Sequence, residues 1–457
     1  MKITFLGATS EVTGSNYLLE HDGVKILIDC GLFQSGRFSD QKNYQPFKFN
    51  PAEIDCVILT HAHIDHSGRI PVLVKQGQGF QGEIYGTSPT LDFVEILLSD
   101  SLRILEKEAR YHDRDPVYNE ANVAKAVSLF KKVEYNNEIS ISQNLSFILR
   151  DAGHILGSAI IEIFYSKGDG PKKKAVFSGD LGNYPNPMLK RTTEVDQADY
   201  LVMESTYGGH QHEDIESRAK ILKKVITETI NNGGVLMVPA FAIERTQELL
   251  REINELVEKK QIPRVPIFLD SPLAIKVTDI YKQFQRYFNE EVKKVIKSGD
   301  DIFQFPGLNF CLTPEQSKRI NSIPAPKIII AGSGMSNGGR IIHHERRYLS
   351  DPKNTLLIIG YQAAGTLGRK IIDGAERVEI LGEAIKVRAQ IKKIGGYSAH
   401  ADQDKLIDWV RPMKQSVKKV FLVHGEPDSM QILATKIKKE LALEPIIPNF
   451  GESFELD

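Results

Sequence analysis

Residues 59–71 read LTHAHIDHSGRIP and crowd His61, His63, Asp65 and His66 into six positions. The run CVILT at 56–60 has the apolar, β-branched character of a buried strand, and an extended exit from it turns His61 and His63 to the same side of the chain. Asp65 and His66 follow where the chain turns, ahead of the helix-like RIPVLVKQG. A strand-to-helix loop of this kind is a rigid support from which side chains converge. Imidazole and carboxylate donors without thiolate fit zinc, with manganese or iron as alternatives, and four donors so close together point to two ions rather than one.

Further donors stand in the same setting, at the end of a β-like run beside glycine: His154 in RDAGHILGS, Asp180 in VFSGDLG, His400 in GYSAHAD and His424 in VFLVHGE. Asp29, in ILIDCG, occupies a similar place and suits the task of orienting a ligating imidazole through its second N–H.

Outward from this loop, the first third of the chain alternates short β-rich runs with turns, and hairpin-like spacing dominates: KITFLG, NYLLEH, VKILIDCG, GEIYGT, LSFILRDAG, AIIEIFYS and KAVFSGD. Leu91, Val94, Leu97, Leu98 and Ile104 follow helical spacing and predict a helix from about Ser88 to Lys107. After Glu204 strands alternate with long helical segments, as in GGVLMVPA, VPIFLD, KIIIAGS and TLLIIGY, the pattern of a parallel doubly wound unit. From about Val387 the first style resumes through VRAQIKKIGGYSAHAD and KKVFLVHGE. These patterns predict an α/β protein of layered strands with outer helices, formed by 1–205 and 385–457, with 206–384 inserted as a second domain.

With 457 residues, 41% of them hydrophobic, the chain buries a sizeable core divided over two or more domains. No apolar run approaches the ~18 residues of a membrane span, so a soluble, cytoplasmic protein is expected. Cys30, Cys56 and Cys311 are widely spaced and form no CxxC, which argues for buried free thiols rather than disulfides or a thiolate metal site. A net charge of -1 carries no claim about partners by itself.

His61-Ala-His63-Ile-Asp65-His66 resembles the HxHxDH signature of the metallo-β-lactamase fold hydrolases. ESTYGG (204–209), GSGMSNGGR (332–340), GYSAHAD (396–402) and LVHGE (422–426) extend the resemblance over essentially the whole chain to the β-CASP nucleases. Within that group they look most like the endonuclease subunit of the cleavage and polyadenylation specificity factor and its short archaeal and bacterial relatives. The resemblance implies a four-layer αββα sandwich interrupted by an α/β β-CASP domain. It further implies two zinc ions per chain, one bound by His61, His63 and His154, the other by Asp65, His66 and His424, with Asp180 bridging. Glu204, His400 and His424 match the β-CASP motifs A, B and C. A histidine at the last of these resembles the RNA-acting members, whereas DNA-repair members usually carry valine.

The expected reaction is therefore hydrolysis of RNA phosphodiesters to 3′-hydroxyl and 5′-phosphate ends, with Asp65 and Asp180 at the metals, His400 as general acid and Glu204 orienting it. Two divalent ions outweigh those two carboxylates, so an RNA phosphate is attracted although the chain is not basic. GSGMSNGGR follows a strand-like run and precedes helix-like sequence. Its small residues either let backbone N–H groups approach a phosphate or make a tight turn. Ser333, Gly334, Arg245, Arg340 and Arg369 are candidate RNA-backbone contacts, with the arginines equally suited to pairing with carboxylates. His343 and His344 would point apart on a helix, and His210 and His212 fit an exposed loop, so neither pair is assigned. RNA is the expected partner, with no membrane, and a homodimer stays open. The competing readings are a hydrolase of DNA or a small ester on the same fold, and a silent RNA-binding scaffold. All seven expected ligands are present, which disfavours the scaffold.

Overall fold

The computed structural model describes residues 1–34, 39–212, 215–360, 362–363 and 365–457. Met1–Gln211 and His400–Asp457 form one compact unit, His212–Ala399 a second.

The first unit holds two seven-stranded sheets. In one, Lys2–Phe5, Tyr17–His21 and Val24–Ile28 run antiparallel. Cys56–Ile58, Glu83–Gly86 and Phe130–Lys132 then continue the sheet parallel to Val24–Ile28. In this sheet hairpin spacing thus holds for the first three strands only, whereas Glu138–Ser142, Leu145–Asp151, Ala159–Tyr165 and Lys173–Phe177 of the other sheet pair consecutively and antiparallel as expected. Parallel pairing needs crossovers, and the helices Ser88–Tyr111 and Glu120–Val127 supply the last of them. The longer helix begins at the expected residue, capped by the Thr87 side chain, which accepts from the Thr90 N–H.

The other sheet orders Pro445–Ile446, Lys419–Val423, Tyr200–Glu204, Lys173–Phe177, Ala159–Tyr165, Leu145–Asp151 and Glu138–Ser142. Alternation along these strands divides their side chains between two cores. Phe147, Leu149, Ile161, Ile163 and Phe177 meet Ile3, Phe5, Ile26, Ile28 and Ile58 between the sheets. Ile160, Val176, Leu201 and Leu422 instead pack outward against Leu406, Trp409, Leu433 and Ile437 of the helices Gln403–Val410 and Pro427–Leu441. The unit is the expected αββα sandwich.

Within this second sheet Lys173–Phe177, Tyr200–Glu204 and Lys419–Val423 are mutually parallel. Their C-terminal ends therefore lie side by side, and they carry Asp180, Glu204 and His424. Leu145–Asp151 points the same way, because it is antiparallel to Ala159–Tyr165, which is antiparallel to Lys173–Phe177; it leads to His154. In the first sheet the adjacent parallel strands ending at Ile28 and Ile58 lead to Asp29 and His61.

The second unit is built on a six-stranded parallel sheet in the order Leu308–Phe310, Ile267–Asp270, Lys327–Ala331, Val235–Pro239, Thr355–Ile358, Gln390–Lys393. The doubly wound expectation holds, but the expected boundary at 384/385 does not. Gln390–Lys393, read from sequence as a return to the first domain, pairs in register with Thr355–Ile358, so the second unit continues to Ala399. Its two polar lysines mark an edge strand, and an edge strand looks the same whichever sheet it joins.

Candidate metal centre

All seven expected ligands lie in the first unit and converge at the strand ends just described. Around one point, His61 Nε2 stands 2.9 Å from His63 Nδ1, which stands 3.3 Å from His154 Nε2. Asp180 Oδ2 is 3.4 Å from His61 Nε2 and 3.5 Å from His154 Nε2. Around a second point, His66 Nε2 is 3.1 Å from His424 Nε2, which is 3.3 Å from Asp65 Oδ2. Here Asp180 offers its other oxygen, Oδ1, 3.4 Å from His66 Nε2.

Four donors about 2.0–2.2 Å from a shared tetrahedral ion stand roughly 3.3 Å from one another; His61, His63, His154 and Asp180 have nearly that spacing, while in the second group Asp65 Oδ2 and His66 Nε2 stand farther apart, at 4.0 Å. The hydrogen bonds outside them agree. His66 Nδ1 donates to Asp29 Oδ2 at 2.7 Å. Thr60 donates to Asp29 from both its N–H and its hydroxyl, which leaves the hydroxyl to accept from His61 Nδ1 at 3.1 Å. Thr206 donates to the His424 carbonyl and receives His424 Nδ1 at 3.1 Å. In three rings the proton is thus drawn outward to Nδ1, and the Nε2 lone pair faces the centre. Burial pushes the His61 imidazole well below its ordinary pKa and that of His63 down to about 4, which keeps both neutral, the form that binds metal. For Asp65 burial opposes ionisation, but the adjacent imidazoles of His424, His66 and His63 outweigh it and hold the carboxyl below its ordinary pKa. Asp29 and His424 hold positive φ angles of 59° and 51°, conformations that persist only where their surroundings over-determine them.

At the rim of this centre His400 Nδ1 lies 3.2 and 3.1 Å from the two oxygens of Glu204. Glu204 is buried and is itself fixed by the Leu181 N–H, 2.7 Å from Oε1. Burial opposes charge on His400, but the carboxylates of Glu204 and Asp180 outweigh it and raise its pKa. Asp65 and His400 are 19% and 20% exposed and His63 is half-buried, whereas His61, His66, His154, Asp180 and His424 are buried, so the centre opens on the side of His63, Asp65 and His400.

Comparison with known proteins agrees with this architecture. Residues 18–170 match a metallo-beta-lactamase superfamily domain, 246–371 a Beta-Casp domain and 384–448 a Zn-dependent metallo-hydrolase RNA specificity domain. Ribonuclease TTHA0252 of Thermus thermophilus is 38% identical over 455 residues, 99% of each chain. The chain belongs to the metallo-β-lactamase/β-CASP family. Transcription termination factor FttA of Methanosarcina mazei is 32% identical over 97% of this chain and 70% of its own length. A crystal structure of a protein of unknown function from Enterococcus faecalis, 13% identical, superposes with a TM-score of 0.57 over 99% of each chain and shares the fold.

In this β-CASP chain two expected RNA contacts are engaged elsewhere. Arg245 is buried and pairs with Glu248 at 3.2 Å. Arg340 donates to Asp270 Oδ1 at 2.7 Å and to the carbonyls of Cys311 and Leu312. Asp270 also accepts from His344 Nε2 and the Ser317 hydroxyl, which accounts for one histidine of the unassigned 343–344 pair. Both arginines thus make the carboxylate pairing that the sequence left open. A charge at a parallel strand end looks alike in sequence whether it faces a ligand or a buried carboxylate. Ser333 is drawn into the turn of its own loop: its hydroxyl accepts from the Asn337 N–H and its N–H donates to the Gly338 carbonyl. Arg369 is 46% exposed and pairs with Asp373 one helical turn on. All three cysteines are buried and free, and no described helix is long and apolar enough to cross a membrane.

Thr60 and Thr206 gave no signal in the sequence, because threonine is not a metal donor; only their place beside His61 and within ESTYGG hinted at them. Asp29→Asn is expected to weaken zinc affinity roughly 10- to 100-fold, since it exchanges an acceptor of the His66 and Thr60 protons for an amide. Titration against a competing chelator measures this, and unchanged affinity would remove Asp29 from the centre.

A buried carboxyl in the helix Ile341–Tyr348, held by Ser336 of the GSGMSNGGR loop, carries its own titration. The Glu345 carboxyl lies fully buried, with Ser336 on Oε1 at 2.5 Å and Oε2 without a hydrogen-bond partner. Burial pushes its pKa from 4.5 up to about 7. The folded state therefore holds this proton more tightly than the unfolded chain. The resulting stability is complete below pH 4.5 and is lost as pH rises through 7, amounting to about 3 kcal/mol. Glu345→Gln should abolish that share of the pH dependence. Urea unfolding of both proteins at pH 5 and pH 7.5 checks it, and parallel pH responses would disprove it.

Proposed function

We propose that this protein is a ribonuclease with two zinc ions per chain, hydrolysing RNA phosphodiester bonds to 3′-hydroxyl and 5′-phosphate ends. The observation that carries this reading is the doubled donor set sharing Asp180, with the His400–Glu204 pair at its open edge. The full-length relationship to Ribonuclease TTHA0252 and the match to an RNA specificity domain support RNA as the polymer.

His61, His63 and His154 would hold one ion, Asp65, His66 and His424 the other, and Asp180 both. When bound, the ions acidify water and stabilise the negative charge that accumulates at phosphorus. The protein's own part is to keep His61 and His63 neutral, to bury most of the ligands away from bulk water, and to manage the proton. With Nδ1 held by Glu204, His400 offers Nε2 as the atom that protonates the departing 3′-oxygen. Glu204 keeps the ring cationic until that transfer.

Linear and circular RNA of one sequence, offered beside an ester substrate with and without a zinc chelator, test the proposal. Zinc-dependent cutting of RNA is the expected result, and cutting of the circle would establish endonuclease action. Ester hydrolysis with intact RNA would overturn the proposal.

A further inference from the structure

The second unit carries an exposed aromatic ring at the place where a parallel α/β sheet receives ligands. From the central strand Val235–Pro239 the chain moves on to Ile267–Asp270 on one side of the sheet. From its neighbour Lys327–Ala331 it moves to Thr355–Ile358 on the other side. The two connections diverge, so the crevice beyond the C-terminal ends of this strand pair is a topological switch point, the usual ligand site of open parallel sheets. Phe241 stands at that end, two residues beyond Pro239, and is 36% exposed.

The ring has a built support. A Cβ added at Gly334, beyond the neighbouring strand, would stand 2.6, 2.7 and 2.8 Å from three consecutive ring atoms of Phe241. Distances so nearly equal place Gly334 under the face of the ring, not at its edge. A Cβ at Gly360, beyond the strand Thr355–Ile358, would stand 3.2 Å from the same ring. Gln362 fixes this glycine bed by donating from Nε2 to the carbonyls of Gly334, at 2.8 Å, and Gly360, at 3.3 Å. The Thr246 hydroxyl fixes the Phe241 backbone by donating to its carbonyl at 2.7 Å. Any side chain in place of Gly334 would lift the ring. A phenyl group held flat on backbone, with part of its surface in solvent, loses little freedom when a second flat group stacks on it.

We propose that Phe241 is a stacking platform for one nucleobase of single-stranded RNA, a contact that rests on the ribonuclease reading above. It deepens that reading by assigning a base-binding position to the second unit. Stacking on an aromatic face tolerates any base, because every base has a π-face. The position therefore holds the strand without selecting its sequence.

The test uses the full-length, zinc-loaded protein carrying His400→Ala to suppress cleavage, and measures binding of a labelled single-stranded RNA oligonucleotide by fluorescence anisotropy. Phe241→Leu, which keeps an apolar side chain without a ring, should weaken binding at least about fivefold. Phe241→Trp should retain it, and thermal melts of both report on folding. An abasic nucleotide moved along the oligonucleotide should weaken binding at one position, and that loss should vanish in Phe241→Leu. Binding by Phe241→Leu within about twofold of the parent, or an abasic series without a Phe241-dependent position, would overturn the proposal. Cleavage by the protein with His400 intact is assayed in parallel. Intact cleavage with no Phe241 effect removes the platform alone, whereas absence of cleavage removes the ribonuclease reading and the platform with it.

Discussion

Asp180→Asn is expected to lower RNA cleavage by more than about 100-fold, beyond the roughly 10- to 100-fold range of residues that only orient ligands. Among the seven expected ligands Asp180 offers one oxygen to each donor group, with Oδ2 3.4 and 3.5 Å from His61 and His154 and Oδ1 3.4 Å from His66. Asparagine keeps the shape but turns one acceptor into a donor and removes the charge, so neither group keeps its complement. Two imidazole nitrogens would then share a buried point with an amide N–H. Bound zinc, measured by elemental analysis, should fall together with activity. A variant with the native zinc content and native cleavage would show that Asp180 is not shared between two ions.

His400→Ala should lower kcat by about 10²- to 10⁴-fold, the range contributed by a positioned proton donor, while zinc content and RNA affinity stay close to native. The two effects separate because His400 belongs to neither donor group; its Nδ1 faces Glu204. Glu204→Gln supplies the complementary result. Burial acts to lower the His400 pKa and Glu204 is the foremost influence raising it, so loss of that carboxylate lowers it. A general acid works while protonated, and the alkaline limb of the rate profile should therefore move to lower pH in Glu204→Gln. An alkaline limb unmoved by this change, or full activity in His400→Ala with zinc retained, would reject the proton-donor role.

The metal centre was legible in the sequence to an unusual degree, for a physical reason. Donor chemistry is carried by residue type, and His61, His63, Asp65 and His66 are so dense that no fold is needed to see them. His154, Asp180 and His424 share the signature of a strand end beside glycine, which is local information too. Their convergence is not local. It depends on Lys173–Phe177, Tyr200–Glu204 and Lys419–Val423 pairing in parallel, so that residues more than two hundred positions apart end at one edge.

By itself the sequence determined the alternation of strands and helices, the presence of an inserted doubly wound unit, and the donors of the centre, because periodicity and ligand chemistry are properties of short segments. Tertiary structure alone decided which charges are spent inside the fold. Arg245 and Arg340 look like ligand contacts until Glu248 and Asp270 are seen to hold them. It also decided that Gln390–Lys393 belongs to the second sheet and that Thr60 and Thr206 orient the ligating rings. A hydrogen bond or an edge pairing depends on which groups come within about 3 Å, and that proximity is settled only when distant strands meet.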